Sequence, residues 1–333
     1  MLPELCERSG IRTVNYEALA GRQQREGKVS GVICPICLKA PARQTFTKDS
    51  YPVYRCGGCA CEFLEPQPND RVLAEIYDAE YFLGDHDEAS DQRVAALKSA
   101  TSALYLDRLA PTGAGNQARL LEIGCGTGDL LLQAQSRRFE VNGVEYSAVA
   151  AATANRRLGA DVVEAGTIEN SSLPAGHFDI IAACDVIEHT RHPRFLLKRA
   201  HELLRPGGMI FLVTPSLDSW SRTLLGKRWM EYKVEHLFYF GRKSLERLLR
   251  DAGFERPAFA GNRKVLSLDY MHRHFERFPV TALTPFFRLV RRCAPERLAQ
   301  RHWVLPASGV FVTARKPQCI RSDQARRRGN DER

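Results

Sequence analysis

The sequence predicts an α/β fold wound on both faces of a mostly parallel sheet, and three observations predict it. The apolar run Leu120-Leu121-Glu122-Ile123 breaks into glycines at alternate positions, Gly124, Gly126 and Gly128, and the helical pattern Asp129 to Ser136 follows at once. Two further runs have strand character: Phe139 to Val144, ending at Glu145, and Phe178 to Asp185, apolar nearly throughout as a strand covered on both faces must be. Leu203-Leu204-Arg205-Pro206-Gly207-Gly208 closes a helix and turns into the strand Met209 to Val213. Strands alternating with helices in this way give a Rossmann-like, doubly wound sheet, and Gly309 to Arg315 reads as the last of seven strands.

The glycine loop is the first candidate site. Glycine lets a backbone approach a ligand closely, and the N-terminus of the following helix adds unpaired N–H groups. The spacing Glu-x-Gly-x-Gly-x-Gly is not the dinucleotide fingerprint, and Glu122 at the strand end would repel a pyrophosphate. A carboxylate there suits a ligand with a cationic amino-acid end, such as S-adenosylmethionine. Glu145, closing the second strand, is placed to take both ribose hydroxyls. The loop, Glu145, the Phe178-Asp179 strand and the Pro206-Gly207-Gly208 turn, in this order, resemble the class I S-adenosylmethionine-dependent methyltransferases, of the bacterial type with an N-terminal zinc-ribbon module. The resemblance covers roughly residues 113 to 262. It implies that Glu122, Gly124, Cys125, Gly126 and Gly128 hold the methionine end, that Glu145 holds the ribose, and that Tyr146 and Asp185 lie at the cofactor. Ala165 to Glu169, after the third strand, should run near the adenine.

Four of the ten cysteines form the second motif: Cys34-Pro35-Ile36-Cys37 and Cys56-Gly57-Gly58-Cys59. Their spacing is that of a zinc ribbon, in which four thiolates close a tetrahedral shell and leave no open position, so a metal there is structural. Tyr51 to Arg55 would be a short ribbon strand. Cys61 is a spare thiol outside the set. Glu65-Pro66-Gln67-Pro68 is a stiff exit, Asn69 or Asp70 caps a helix, and a second helix runs from about Gln92 to Leu109. In methyltransferases of this build the helices before the core cover the methyl donor, which implies pocket roles for Tyr77, Tyr81 and Phe82.

Open parallel sheets bind ligands at the carboxyl ends of their strands. There the chain reads Asp185-Val186-Ile187-Glu188-His189-Thr190, and a helical turn would gather Asp185, Glu188 and His189 on one face. Two chemistries fit these residues. His189, with an ordinary pKa of about 6.5, could take a hydroxyl proton as general base or orient the acceptor. Alternatively Asp185, Glu188 and His189, joined by His236, bind a divalent cation; the arrangement looks like that of the ubiquinone-pathway and small-RNA O-methyltransferases, although Asp185 stands where those carry Glu. Trp229 and His236 fall on the segment after the fifth strand, where aromatic side chains would meet a flat or sugar-like substrate or form a hydrophobic lid. No Asn-Pro-Pro-Tyr-type clamp for an amine occurs, so O-methylation is the first expectation.

The chain of 333 residues carries a net charge of +9. Between His272 and Arg301 there are seven arginines and two glutamates, interleaved with Phe275, Phe278, Phe286, Phe287 and Leu289. Such a basic amphipathic stretch covers a local core, or touches anionic lipid or nucleic acid. No apolar run reaches the ~18 residues of a membrane span, and the N-terminus lacks the apolar core of a signal peptide, which together predict a cytoplasmic protein with reduced cysteines.

The expected organisation is an N-terminal arm (1–30), a zinc ribbon (31–68), a helical linker or cover (69–112), the S-adenosylmethionine-binding core (113–262), C-terminal strands with the basic helical insertion (263–317) and a disordered basic tail (318–333). The expected activity is S-adenosylmethionine-dependent O-methylation of a small molecule or glycan. An RNA methyltransferase gripping phosphates with the ribbon and arginines is the rival, and a non-catalytic binding module is the reading from a different class.

Overall fold

A computed structural model describes residues 31–76, 88–109, 117–277, 280 and 283–318. Two sheets organise the chain. The larger has seven strands: β4 (Arg119–Ile123), β5 (Glu140–Glu145), β6 (Val163–Ala165), β7 (Phe178–Cys184), β8 (Leu204–Pro215), β10 (Glu255–Leu266) and β11 (Trp303–Arg315). Their spatial order is β10-β11-β8-β7-β4-β5-β6. β4 to β8 are parallel; β11 runs antiparallel to β8, and β10 antiparallel to β11. The doubly wound seven-stranded sheet is therefore the one the sequence predicts.

The chain winds outward from β4 in both directions, so the switch point lies between β4 and β7. There the glycine loop leaves β4 and Asp185 leaves β7, which is the crevice where such sheets bind ligands. Helices α3 (Asp129–Ser136), α4 (Ala148–Leu158), α5 (Pro193–Leu203) and α7 (Arg242–Asp251) are the crossovers and outer cover, preceded by α1 (Asp70–Ile76) and the long α2 (Glu88–Leu109); the short α6 (Trp220–Leu225) stands in the connection after β8. The strand centres are apolar and sealed: Leu120, Leu121, Ile181, Ala182, Ala183, Ile210, Phe211 and Leu212 are fully buried.

The smaller sheet has the order β1-β2-β3-β9 and is antiparallel throughout. β1 (Ala42–Lys48), β2 (Tyr51–Cys56) and β3 (Glu62–Leu64) belong to the cysteine module, as Tyr51 to Arg55 foretold. β9 (Phe238–Tyr239) does not. It comes from the connection between β8 and α7, deep in the second half of the chain, and pairs Tyr239 with Glu62 and Phe238 with Phe63. The cysteine module is thus welded to the core by a shared sheet. Cys34, Ile36, Cys37, Cys56, Cys59 and Phe63 pack in one apolar cluster with Ile187, Leu196, Leu237, Phe238 and Phe240.

A buried carboxylate locks the same seam. Glu62 accepts the Tyr232 hydroxyl at 2.6 Å and Arg55 Nη1 at 2.7 Å, with Arg222 Nη2 at 3.6 Å. Two guanidiniums and a phenol offset the desolvation of a charge that lies 1% exposed. Arg191 adds bonds to Gln67, Pro68 and Asp70, and Arg194 to the Ile36 carbonyl, tying module and exit segment to the start of α5.

The basic insertion folds as α8 (Leu268–Arg277), α9 (Leu283–Cys293) and the short α10 (Glu296–Ala299), between β10 and β11. Strand β10 runs through residues 262 and 263, where the core was expected to end. Among the described residues no helix is long and apolar enough to cross a membrane.

Removing the buried carboxylate leaves two guanidiniums and a phenol facing one another across the seam. Glu62→Ala is expected to lower stability by about 2–4 kcal/mol in urea unfolding, with Glu62→Gln intermediate because it still accepts a hydrogen bond. A loss below about 0.5 kcal/mol would mean that the seam does not depend on Glu62.

Candidate active site and zinc centre

The glycine loop is shaped by steric demand. Gly124 has φ +68°, and a Cβ there would stand 2.5 Å from Val186 Cγ2; Gly128 has φ +85° and faces Ala154 at 3.2 Å. Only glycine fits either position. Gly124 N–H donates to the Val144 carbonyl and Gly128 N–H to that of Cys125, so the loop is stitched across the ends of β4 and β5.

Two carboxylates face this loop. Glu145 is buried and oriented from both sides: Gly126 N–H donates to Oε2 at 2.7 Å and Ser147 N–H to Oε1 at 2.9 Å. Each oxygen keeps a lone pair, which a diol could use. Glu122 is 5% exposed and its Oε2 has no hydrogen-bond partner. Burial raises its pKa well above the usual carboxylate range, and the negative charges of Asp129 and Glu145 raise it further. At the end of β4, beside the glycine loop, a cation such as the ammonium of a methionine moiety would stabilise the ionised form of Glu122, with its unpaired Oε2 as the acceptor. The donor set fits S-adenosylmethionine at both ends. Cys125 is buried beneath the loop, its thiol pKa raised by burial; Tyr146 beyond Glu145 is 76% exposed.

At the end of β7 the expected cluster divides. Asp185 takes a positive φ of +54° and pairs with Lys264 Nζ of β10 at 2.7 Å. Burial opposes the charge on Lys264, but Asp185 outweighs it and holds the ammonium well above its ordinary pKa. Glu188, His189 and His236 instead come together, one ligand atom from each lying within 4.8 Å of the others. The two imidazoles meet edge to face with centroids 4.7 Å apart. His189 Nδ1 lies 3.0 Å from the Glu235 carbonyl and His236 Nδ1 2.8 Å from that of Glu231. A carbonyl only accepts, so the proton sits on Nδ1 and the lone pair on Nε2 of each neutral ring.

Burial sets the charge states. It pushes His189 down to about 4, against the help of the Glu235 carbonyl, and pushes His236 well below its usual range. Glu188 is 1% exposed and rises to about 8 through burial and then Asp185. Its Oε2 accepts Thr214 Oγ1 at 2.9 Å, while Oε1 is buried without a partner. The triad therefore presents two neutral imidazoles and an unsatisfied carboxyl oxygen to one point, the donor set of a divalent cation.

Of the aromatic residues expected at the substrate, Trp229 lies elsewhere. It is 2% exposed, donates Nε1–H to Ser221 Oγ at 3.0 Å, and packs with Tyr232, Tyr239, Val53 and Leu64 in the seam. A large ring with a satisfied N–H filled the core there. Tyr77, Tyr81 and Phe82 fall outside the described residues. Sequence reasoning passed over Lys264 and Glu62. Lys264 gave no signal beyond a strand-like pattern; Glu62 gave one, as a charge between Cys61 and Phe63 in an apolar strand.

The four expected cysteines converge. Cys34 and Cys59 sulfurs are 3.6 Å apart, as are those of Cys37 and Cys56, and all four lie within 4.8 Å of one another. Thiolates on one tetrahedral zinc, each about 2.3 Å from it, stand about 3.8 Å apart, so the set fits. Ile36 N–H points at Cys34 Sγ, and the Gly58 and Cys59 amides point at Cys56 Sγ, supporting the charge the thiolates would carry. Cys61 stands apart, its thiol directed at the Glu62 and Tyr239 carbonyls.

Zinc centre and triad are mechanically close. Leu64 N–H of the ribbon donates to the Leu237 carbonyl, and the Leu237 and Phe238 amides both donate to the Glu188 carbonyl, at 2.9 and 3.2 Å.

Residues 96–256 match the family model of a methyltransferase domain. The ubiquinone biosynthesis O-methyltransferase of Aromatoleum aromaticum is 26% identical over 155 residues, 43% of this chain and 66% of that protein. The 27-O-demethylrifamycin SV methyltransferase of Amycolatopsis mediterranei is 32% identical over 171 residues, 46% of this chain and 62% of the relative. The chain thus spans less than two thirds of the length of these curated relatives. Among solved structures, the phosphoethanolamine N-methyltransferase 2 of Haemonchus contortus aligns at 17% identity and a TM-score of 0.49, covering 77% of this chain and 62% of that one. The match is to a methyltransferase domain, and the cysteine module lies outside it.

The weld has a measurable consequence. In Cys56→Ser, zinc content should fall from one per chain to none. Hydrogen exchange should then accelerate at 62–64 and also at 237–239, while 119–123 stays protected. Unchanged exchange at 237–239 would show that the ribbon does not hold the strand beside His236.

Proposed function

We propose that this chain is an S-adenosylmethionine-dependent methyltransferase acting on a hydroxyl of a small molecule or a glycan. The observation that carries the cofactor is Glu122, a buried carboxyl at the end of β4 whose Oε2 has no partner, near Glu145, which two amides already orient. Bound there, S-adenosylmethionine supplies an electrophilic methyl group. The residues supply place and orientation: Glu122 takes the ammonium, Glu145 the ribose hydroxyls, and Gly124, Gly126 and Gly128 the close approach. Alignment of this kind is worth about 7–11 kcal/mol in well-oriented systems.

The acceptor atom follows from the triad. Glu188, His189 and His236 would hold a divalent cation, which when bound lowers the pKa of a coordinated hydroxyl. His189 with a pKa of about 4 is a weak base, so the two chemistries open at the sequence level are no longer balanced. Its buried neutral ring, with Nδ1 held by a carbonyl, favours ligation. Asp185 does not join, because Lys264 occupies its carboxylate; that ion pair fixes the rim of the acceptor pocket instead. The two relatives named above are an O-methyltransferase and a protein methylating 27-O-demethylrifamycin SV, which supports a hydroxyl on a small molecule.

Calorimetry tests the cofactor site. S-adenosylmethionine should bind the wild type in the micromolar range. Glu145→Ala and Glu122→Gln should each weaken binding by about tenfold or more, the value of one charge-assisted hydrogen bond. Absence of binding to the folded wild type would overturn the reading.

Manganese titration followed by electron paramagnetic resonance tests the triad. One ion per chain should bind in addition to zinc, and Glu188→Gln or His236→Ala should abolish it while zinc stays at one. Binding unchanged in both variants, or absent from the wild type, would return His189 to a metal-free orienting role.

A further inference from the structure

We infer that helix α9 is a docking surface for an anionic lipid bilayer. The helix has two faces of different character. One packs on α8: Phe287 stacks on Phe275 at 4.8 Å, Arg288 grips Glu276 with two bonds, Arg291 pairs with Asp269, and Thr284 bonds the Phe275 carbonyl. The opposite face carries Phe286, Leu289, Arg292 and Cys293, spaced three and four residues apart and all exposed. Phe286 is 55% and Leu289 62% exposed, and no residue of α9 is fully buried. Water covers an aromatic ring and a leucine on one stripe, at a cost that a soluble surface helix ordinarily avoids.

The charge beside that stripe identifies the occupant. Arg292, on the same face, and Arg297 and Arg301 just beyond are exposed, and none of the three is ion-paired with a described residue. Arginines of the inner face spend their charge on Glu276 and Asp269; those of the outer face do not. An apolar stripe bordered by free guanidiniums is the pattern of a helix lying in the headgroup region, its apolar side in the acyl boundary and its cations on lipid phosphates. A nucleic acid would meet the arginines but leave Leu289 and the convex stripe without a partner.

The position of the helix fits the site it would serve. β11 runs antiparallel to β8 with Gly309 opposite Pro215, so residues before Gly309 project past the carboxyl end of β8. The insertion therefore stands at the same edge of the sheet as the glycine loop and the Glu188 triad. Docked on a bilayer, α9 would hold that edge toward the lipid surface. Resting on the function proposed above, this places the acceptor hydroxyl on a molecule carried at the membrane.

Co-sedimentation of the full chain with vesicles tests the proposal. Vesicles of equal parts phosphatidylglycerol and phosphatidylcholine should carry the protein down, and phosphatidylcholine alone should do so about tenfold less well. Phe286→Ser with Leu289→Ser should weaken binding to the anionic vesicles by about tenfold, and Arg292→Glu should weaken it and flatten the salt dependence. Unchanged thermal melting and S-adenosylmethionine binding in these surface variants would separate docking from folding and from the cofactor reading. No sedimentation of the wild type overturns the proposal. So does binding insensitive to the Phe286 and Leu289 changes, since arginines alone then account for it. RNA shifted by the wild type while vesicles are not bound, or a dimer lost with Phe286→Ser, overturns it in favour of those partners.

Discussion

The Glu188 carbonyl accepts two backbone N–H groups, from Leu237 and Phe238, and most of the functional architecture depends on that junction. Buried backbone groups must be paired, so the turn carrying Glu188 and His189 cannot move independently of the segment carrying His236. That segment runs straight into β9, a strand of only two residues whose other edge is occupied by β3 of the cysteine module. A two-residue strand has no stability of its own. It holds its line because the module on one side and the β7 turn on the other supply its partners. The geometry of the triad is therefore a property of two sheets at once, and the cysteine module, remote from it in sequence, is part of its foundation.

The second constraint is electrostatic. Two carboxyl oxygens, Glu122 Oε2 and Glu188 Oε1, are buried without partners near the ends of adjacent strands. Leaving such atoms unsatisfied costs about 1–3 kcal/mol each, more when charged. In the function proposed above, each would gain a cationic partner, an ammonium at one and a metal ion at the other. Asp185 lies between these sites in sequence, and its charge already helps raise Glu188. Lys264, from the last but one strand, pairs with Asp185 and offsets part of that effect on Glu188.

The sequence was most legible where function is local. The glycine loop, Glu122, Glu145 and both cysteine pairs sit in contiguous segments whose spacing carries the chemistry, and each lies where the spacing implied. The strands of the parallel sheet were legible because burial on both faces leaves only apolar residues. What escaped was long-range. β9 is too short to carry a period, and nothing in Phe238-Tyr239 announces partners 175 and 177 residues earlier, at Phe63 and Glu62. Trp229 looked like a substrate aromatic because exposed and core tryptophans have the same sequence signature; only the Ser221 hydroxyl and the seam around it decide between them. Asp185 and Glu188 share helical spacing, but Asp185 takes a left-handed conformation and leaves the shared face to meet Lys264.

The sheet's polarity joins these parts. Parallel strands put every crossover loop of one kind at one edge, so the cofactor loop, the triad and the Asp185–Lys264 pair must be neighbours whatever their separation in sequence. The antiparallel return through β11 adds a different possibility: a strand entering from the same edge can carry an inserted domain there without disturbing the parallel core. The insertion between β10 and β11 uses it. Its inner face is satisfied by aromatic stacking and ion pairs, so the outer face of α9 carries none of the contacts that hold it to α8. The Glu188 triad is thus held by the core and the cysteine module together, while α9 packs on α8 and leaves its other face exposed.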